Sequence, residues 1–533
     1  MRSTPRPFPL SRAALALALA AALGLGGPAT VRAEDGGHGG GPGPSTPSLP
    51  IGGVPSGGRG GPGPSGGVPV IGGVVSPFPS PISGRGGRGD GGSGDGGGSL
   101  INQTLQRGRD TLDGDGGGRG GRDSSGRDGG GDLLEAAGST SAAATAALIQ
   151  ARQTQAQSLI RANPQLIEPD NLGRPVVRHE VLALAPSAAA LGRATRAGFR
   201  VRSTDALPEL GVTSVVLEPP RGVSAVEALR RLRVLDPQGQ YDFNHLYQEG
   251  GRVAGRAALP LAAAAAAPPP AKHGVRVGLV DGGVAQTLPA LSGSQIVQKG
   301  FAPGGPRPSA HGTAVASLIA GRKGVFRGAA PGASLYVADV YGATPTGGSA
   351  EAIAHALAWL AQSGVPVINI SLVGPPNLLL EAAVKGLVER GRIVIAAVGN
   401  DGPAAPPLYP AGYPGVIAVT GVDPRWRILP EAGRGTHVDF AAPGSEMAAA
   451  GLDGGFVAVR GTSFAAPLAA GLLARLLAEP DRGAAQRAID LLGRRAMDLG
   501  PRGPDAKYGR GLIAAEFRTP PGEVKARLAL RGP

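Results

Sequence analysis

The sequence contains no cysteine and few aromatic residues. Among its 533 residues there are 0 Cys, and Phe, Trp and Tyr together make up 4%. The absence of cysteine excludes disulfide bridges, thiol catalysis and thiolate metal ligands. Histidine is scarce too, with 7 in the chain, so each one can be considered singly as a catalytic base.

Acidic residues are fewer than basic ones, which gives a formal net charge of +13. A basic balance is typical of proteins that bind nucleic acid or membrane surfaces. Here the arginines are spread along the whole chain. Arg-Gly-Gly units at 85–88 and 119–122 resemble RNA-binding tails, but they lack interleaved aromatic residues and alternate with aspartate. We therefore expect no nucleic-acid partner.

The first 33 residues have the pattern of a secretory signal peptide. Arg2, Arg6 and Arg12 precede an apolar run at 13–25, and small residues follow up to Ala33. The run is shorter than the about 20 residues that a membrane helix needs. We expect cleavage after Ala33 and export to the periplasm, the cell surface or the medium, with no transmembrane domain in the exported protein.

Composition divides the rest of the chain into segments with different expected structures. Gly, Pro and Ser dominate the first of them, which predicts a disordered tether. The predicted segments are the tether at 34–132, a helical segment at 133–170, a small α+β module at 171–247, an Ala/Pro linker at 248–272, an α/β domain at 273–517 and a tail at 518–533.

The module at 171–247 and the domain at 273–517 differ in pattern. The module has the order strand, helix, strand, helix, and its second helix opens at Ser224 with a capping-box pattern, which favours a ferredoxin-like fold. The larger domain alternates helices with fully apolar strands, which predicts a mainly parallel sheet covered by helices on both faces.

Four polar residues of the larger domain stand where predicted strands end or helices begin. Taken singly, each has a more ordinary interpretation as a turn, a cap or a structural histidine. Taken together, they would meet at one edge of a parallel sheet, where active sites gather. They are Asp281 after the strand at 277–280, His311 before a run of small residues, Asn400 after the strand at 395–399, and Ser463 at a helix start.

The stretches around these residues resemble the subtilisin-like serine proteases, the subtilases, in the family's order Asp, His, Ser. The similarity spans residues 273–517 and implies that family's three-layer α/β fold. The matching stretches are Val280-Asp281-Gly282-Gly283, His311-Gly312-Thr313, Ala397-Val398-Gly399-Asn400 and Gly461-Thr462-Ser463-Phe464-Ala465-Ala466-Pro467.

The resemblance implies a serine endopeptidase acting through an acyl-enzyme. Ser463 would be the nucleophile, His311 the general base and acid, and Asp281 the group that orients His311. Asn400 would donate its side-chain amide to the oxyanion, together with the Ser463 backbone N–H.

The resemblance also implies where polypeptide substrates bind. They would add as a strand beside two segments, Gly347-Gly348 and Ser371-Leu372-Val373-Gly374, and Gly399 would form part of the floor of the pocket for the residue before the cut. The small residues there favour a roomy pocket with broad preference for apolar side chains.

The sequence departs from the family at two positions near the site. Gly282 stands where the family often has Ser or Thr, and Ala314 stands where it often has His. Neither position carries a proton transfer, so we expect an active enzyme. No cofactor is expected to be required. A structural calcium ion is possible, but no carboxylate cluster in the sequence resembles a calcium loop and supports it.

The module at 171–247 resembles a propeptide of the same family. We therefore expect a zymogen that is processed in the linker, inhibited by its own N-terminal module and monomeric. Three alternatives stay open: an inactive subtilisin-fold scaffold or surface-binding protein, a protein whose main function lies in the tether, and an unrelated binding module at 171–247.

Overall fold

The computed structural model describes residues 129–253 and 274–524. The predicted signal peptide, nearly all of the predicted tether, most of the linker and the end of the tail lie outside these residues. None of the helices within the described ranges combines the length and the apolar character that a membrane span requires.

The described residues alternate between helices and strands. The helices are α1 (Gly129–Ala162), α2 (Ala188–Arg196), α3 (Ala225–Leu235), α4 (Ala310–Ala320), α5 (Ala350–Gln362), α6 (Leu378–Glu389), α7 (Ala466–Ala474) and α8 (Arg482–Arg495), with 3₁₀ turns at Thr462–Phe464 and Ala515–Phe517. The strands before residue 254 are β1 (Ile167–Pro169), β2 (Pro175–Leu184), β3 (Arg200–Leu207), β4 (Val212–Glu218), β5 (Gln240–His245), β6 (Gln248–Glu249) and β7 (Arg252–Val253). The strands after residue 273 are β8 (Arg276–Asp281), β9 (Ile296–Gly300), β10 (Arg322–Lys323), β11 (Phe326–Arg327), β12 (Ser334–Asp339), β13 (Val367–Ile370), β14 (Leu372–Val373), β15 (Ile393–Ala397), β16 (Ile417–Val422), β17 (Val438–Pro443), β18 (Ser445–Ala450) and β19 (Phe456–Arg460).

The N-terminal module is an antiparallel sheet packed against two helices. Its chain order is β2-α2-β3-β4-α3-β5, and its strands lie side by side in the order β5-β2-β4-β3, which is the arrangement of a ferredoxin-like fold. The hydroxyls of Ser187 and Ser224 accept hydrogen bonds from the first turns of α2 and α3, which explains where these helices begin. Strands β3 and β5 were not predicted, because polar residues interrupt their apolar pattern.

The larger domain is built on a seven-stranded sheet with the order β17-β16-β15-β13-β8-β12-β9. All of its neighbouring strands run parallel. Alternate residues of one strand enter different cores: Val277 and Leu279 pack with α4 and α7, whereas Val280 packs with α5 and α6 on the other face. The predicted fold class, a mainly parallel sheet covered on both faces, is confirmed.

The sheet brings the candidate residues to one edge. Asp281 ends β8, Ser371 follows β13, and Asn400 follows β15 after two residues. The strands β15, β13 and β8 are neighbours and parallel, so their carboxyl ends lie side by side. The order of strands reverses beside β8, because β12 lies on one side of it and β13 on the other, and such a reversal opens a crevice for ligands.

The linker predicted at 248–272 does not begin as a linker. Its first residues form β6 and β7, which pair with strands of the larger domain. The predicted tether likewise ends earlier than expected, because α1 begins at Gly129. The helix predicted from Phe464 starts as a 3₁₀ turn at 462–464 and continues as α7.

Candidate active site

Asp281 and His311 form a buried pair. His311 is the second residue of α4, and its Nδ1 lies 3.0 Å from both carboxylate oxygens of Asp281. Ser309 caps the helix by accepting a hydrogen bond of 2.8 Å from Gly312 N–H, which fixes the start of α4 next to the end of β8. A carboxylate that accepts from Nδ1–H leaves Nε2 as the free basic atom of the ring.

The surroundings of His311 make it a stronger base than an ordinary buried histidine. Burial alone would lower the pKa of His311, but the charge and hydrogen bond of Asp281 and the charge of Glu249 outweigh it, so that the pKa is raised. Nε2 is buried and has no hydrogen-bond partner among the described residues. It is therefore available to a group that enters the site.

The glycine after Asp281 has a structural reason. Gly282 N–H donates a hydrogen bond of 2.7 Å to Asp281 Oδ1, which helps to orient the carboxylate. A Cβ at this position would lie 2.4 Å from the hydroxyl oxygen of Ser309. The Ser or Thr that the family often has here would collide with the cap of α4, so glycine is the residue that fits.

Ser463 lies in the 3₁₀ turn that leads into α7, and it is fully buried. Its hydroxyl donates to the carbonyl oxygen of Ser371 at 3.2 Å, and no hydrogen bond joins it to His311 in the described part of the chain. The residue that lies against this hydroxyl is Gly250 of the same chain, because a Cβ on Gly250 would be 2.7 Å from Ser463 Oγ.

Asn400 is oriented for donation from its side-chain amide. Its Oδ1 accepts a hydrogen bond of 3.2 Å from Thr462 N–H, which turns Nδ2 towards the cleft. There Nδ2 donates to the carbonyl oxygen of Gly250 in a short contact. The second donor predicted from the resemblance, the Ser463 N–H, makes no backbone hydrogen bond to Gly250 in the described residues.

Residues 246–253, here called the cleft segment, cross this site as an extended chain. Before Gly250, β6 pairs antiparallel with β14, with Glu249 opposite Leu372 and Gln248 opposite Val373. After it, β7 pairs antiparallel with β19. The segment therefore has backbone pairing on both sides of Ser463, as a bound peptide would.

The predicted substrate-binding residues divide into two groups. Gly348, Ser371, Leu372, Val373 and Gly374 contact the cleft segment: Tyr247 N–H donates to Gly348 O at 2.8 Å, Gly250 N–H donates to Ser371 O at 3.3 Å, and the Tyr247 ring packs on Gly374.

Gly347 and Gly399 have other contacts. Gly347 lines the cavity beside the cleft segment, whereas Gly399 N–H donates to Thr462 Oγ1 and the Leu408 side chain packs against it. The pocket for the residue before the cut was predicted to take an apolar side chain. Gly250 occupies this position, and it has no side chain to fill the pocket.

Two groups of carboxylates and histidines in the described residues have ligand atoms within 4.8 Å of one another. One is Glu249 with Asp281 and His311, and the other is Asp205 with Glu351 and His355. Neither offers the six to eight oxygen ligands that calcium prefers.

The sequence reasoning missed the cleft segment itself. It ended the module at Tyr247 and read the following residues as linker. Two-residue strands such as β6 and β7 are too short to show a period in the sequence. The signal that was present is the Gly250-Gly251 pair, which allows a backbone to approach another chain closely.

Comparisons with known proteins agree with this geometry. The model of the Subtilase family matches residues 272–511. Subtilisin Savinase from Lederbergia lenta is 34% identical over 255 residues, which cover 46% of this chain and 91% of that protein. Subtilisin DY from Bacillus licheniformis is 32% identical over 253 residues, 45% of this chain and 89% of that protein. The alkaline protease of Shouchella clausii is 34% identical and is covered over 64% of its length.

A solved structure shares the fold. Fervidolysin from Fervidobacterium pennivorans, a keratinolytic enzyme related to subtilisin, superposes with a TM-score of 0.53 at 21% identity, covering 64% of this chain and 61% of that chain. The sequence identity to the subtilisins, over about nine-tenths of their length, confirms the family resemblance predicted from the sequence. The chain belongs to the subtilase family of serine endopeptidases.

Proposed function

We propose that this protein is an exported, self-processing endopeptidase with Asp281, His311 and Ser463 as its catalytic triad. Ser463 Oγ attacks the carbonyl carbon of the scissile bond and passes its proton to Nε2 of His311. Asn400 Nδ2 stabilises the oxyanion. The intermediate expels the amine, which takes the proton from His311, and water then hydrolyses the acyl-enzyme and restores Ser463.

The observation that carries the proposal is the position of Gly250. Its carbonyl oxygen accepts from Asn400 Nδ2, a Cβ on it would lie 2.7 Å from Ser463 Oγ, and its N–H donates to Ser371 O. These are the contacts that a residue immediately before a scissile bond requires. We infer that the first bond the enzyme cleaves is Gly250–Gly251 of its own chain.

The docking of the N-terminal module supports its role as an intramolecular inhibitor. Asp242 accepts a hydrogen bond of 2.8 Å from Leu378 N–H at the start of α6, and Asn244 accepts one of 3.1 Å from Glu351 N–H at the start of α5. The first N–H groups of a helix lack partners within it, so the module supplies them. The module also delivers Tyr247, buried and donating to Pro375 O at 2.6 Å, into the cleft. A module seated in this way blocks other substrates.

Export is proposed from the N-terminal signal pattern. A relative with 30% identity over 209 residues is the minor extracellular protease Epr of Bacillus subtilis, whose name places that protein outside the cell.

The proposal predicts the N-terminal residue of the mature enzyme. The full chain, expressed with export, is treated with a fluorophosphonate probe, and the labelled species is analysed by mass and N-terminal sequencing. We expect a labelled fragment that begins at Gly251. A labelled chain that begins elsewhere would contradict self-cleavage at this bond, and a folded chain without label would favour the inactive scaffold.

A further inference from the structure

Gly251 lies in a narrow slot between Phe464 and Gly461, which has room for a backbone but not for a side chain. A Cβ on Gly251 would be 2.6 Å from Cε2 of Phe464 and 3.3 Å from two further atoms of that ring. On the opposite side, the Cα of Gly251 is 2.9 Å from the place where a Cβ on Gly461 would lie. A side chain larger than hydrogen therefore has no room between Phe464 and Gly461.

The ring of Phe464 is held in place. It is fully buried in the core that α4 and α7 share, and its centroid lies 5.2 Å from that of His311. A ring in a close-packed core cannot swing away without leaving a void. The slot is consequently a rigid feature of the site.

We propose that Phe464 is a specificity-determining residue that restricts the position directly after the scissile bond to glycine. The proposal rests on the cleavage of Gly250–Gly251 inferred above, because that cleavage defines Gly251 as the first residue of the leaving amine. It extends from self-processing to other substrates, since the same slot receives them.

Peptides test this selection directly. The mature enzyme, released from the full chain, is given the peptide Tyr-Gln-Glu-Gly-Gly-Arg-Val, which copies residues 247–253, and a second peptide with leucine in place of the fifth residue. We expect kcat/KM to favour the glycine peptide by at least about tenfold, the range that steric exclusion of a small group produces. Phe464→Met, which has a flexible side chain, should reduce this ratio by at least about fivefold.

Two controls separate the outcomes. Phe456→Met alters a buried ring of the same core that packs on Phe326, and it should leave the ratio unchanged. A peptide pair that differs at the position of Gln248 should show no comparable change in Phe464→Met. Equal cleavage of both peptides by the wild type, or an unchanged ratio in Phe464→Met, would overturn the proposal for Phe464 alone. If neither peptide were cleaved, the proposed function would fall with it.

A second inference concerns α1, which has one face turned towards the active-site cleft. Between residues 142 and 162 the buried and half-buried side chains recur every three or four residues, whereas the side chains between them are exposed. The residues of this inner face are Thr145, Leu148, Ile149, Arg152, Ala156, Leu159 and Ile160.

The inner face is attached to the loop that follows Asn400. Arg152 Nε donates to Asp401 Oδ1 at 2.7 Å, and their side chains are 26% and 12% exposed, so the ion pair is partly buried. About two turns earlier, Thr145 Oγ1 accepts from Ala404 N–H at 3.3 Å and lies against Gly402, where a Cβ would be 2.6 Å away.

The other end of α1 is attached beside the cleft segment. Leu159 and Ile160 pack on a cluster formed by Ile167, Val177 and Leu246, and Leu246 is the first residue of that segment. Between these two attachments, α1 covers a cavity of about 820 Å³ that the cleft segment and the loop of Asp401 also line. The helix thus spans the cleft over the segment that occupies it.

We propose that α1 is an autoinhibitory strap that keeps the N-terminal part seated in the cleft after Gly250–Gly251 has been cleaved. This inference rests on the proposed self-processing. The attachment through Arg152 and Thr145 does not involve the sheet of the module, so it adds to the inhibition that the module provides.

Variants of the full chain test the strap. The quantity measured is the delay between cleavage of Gly250–Gly251 and the appearance of peptidase activity. Cleavage is followed on gels, and activity is followed with a fluorogenic peptide. Arg152→Glu places a second carboxylate against Asp401 and is expected to shorten the delay at least about tenfold, because like charges in close contact repel each other. The rate of cleavage itself should stay unchanged. Arg161→Glu, at an exposed position of the same helix, is the matched control and should keep the wild-type delay.

A second pair of variants guards against an effect of charge alone. Thr145→Arg cannot be accommodated beside Gly402 and should also shorten the delay, whereas Thr154→Arg, on the exposed face, should not. A wild type without any delay, or equal delays in Arg152→Glu and Arg161→Glu, would overturn the strap while leaving self-processing intact. A wild type that is not cleaved at Gly250–Gly251 would overturn both.

Discussion

Ser463→Ala is expected to abolish both self-processing and peptide hydrolysis. In the proposed mechanism the Ser463 hydroxyl, which lies against Gly250, supplies the attacking oxygen, and a methyl group cannot replace it. In subtilisin-type enzymes, removal of this nucleophile lowers kcat by about a millionfold. We expect the purified variant to keep its N-terminal module, to remain unlabelled by a fluorophosphonate, and to bind the cleft segment as the wild type does before cleavage.

The control for this variant is Ser292→Ala, which removes an exposed serine hydroxyl that donates to Pro289 O. It should be processed and labelled normally. The assay is done with purified protein, so that no other protease contributes. Appearance of a fragment beginning at Gly251 in Ser463→Ala under these conditions would show that another group cleaves the chain.

Asp281→Asn is expected to lower kcat by about ten thousandfold while leaving the fold intact. Asp281 holds His311 with Nδ1–H towards its two oxygens, each 3.0 Å away, and thereby presents Nε2 as the base. The amide of asparagine can donate to Nδ1 and so favours the tautomer with the proton on Nε2. The loss is measured as kcat on a peptide, with the variant processed in trans by the wild-type enzyme.

The pH profile of the same variant distinguishes loss of positioning from loss of fold. In the wild type the negative charge of Asp281 helps to raise the pKa of His311 against the effect of burial. Activity requires the neutral ring and is lost as pH falls through this pKa. Without the charge the pKa falls, so the acidic limb of the residual activity should move to lower pH.

Asp339→Asn is the matched control, because Asp339 is the neighbouring buried carboxylate at the end of β12, where it accepts backbone N–H groups of the following turn. Its replacement should leave kcat within about tenfold of wild type and the acidic limb in place. If the acidic limb of Asp281→Asn were unchanged, Asp281 would not control activity by raising the pKa of His311.

Much of the fold could be predicted because it depends on local pattern. The apolar strands at 277–280 and 393–397 and the helix at 350–362 have the period and length of their elements, and serine caps mark where helices begin. Asp281, His311, Asn400 and Ser463 were predicted as site residues for the same reason. Each stands at the end of a strand or the start of a helix, inside a short stretch that matches the family.

The sequence by itself determined the family, the parallel sheet and the identity of the polar residues at its edge, because these depend on patterns within a few residues of one another. Only the tertiary structure decided which partners those residues meet. The pairing of β6 with β14 and the contact of Arg152 with Asp401 join residues far apart in the chain. Such contacts depend on how the elements pack, and a two-residue strand or one face of an alanine-rich helix carries no local pattern that names its partner.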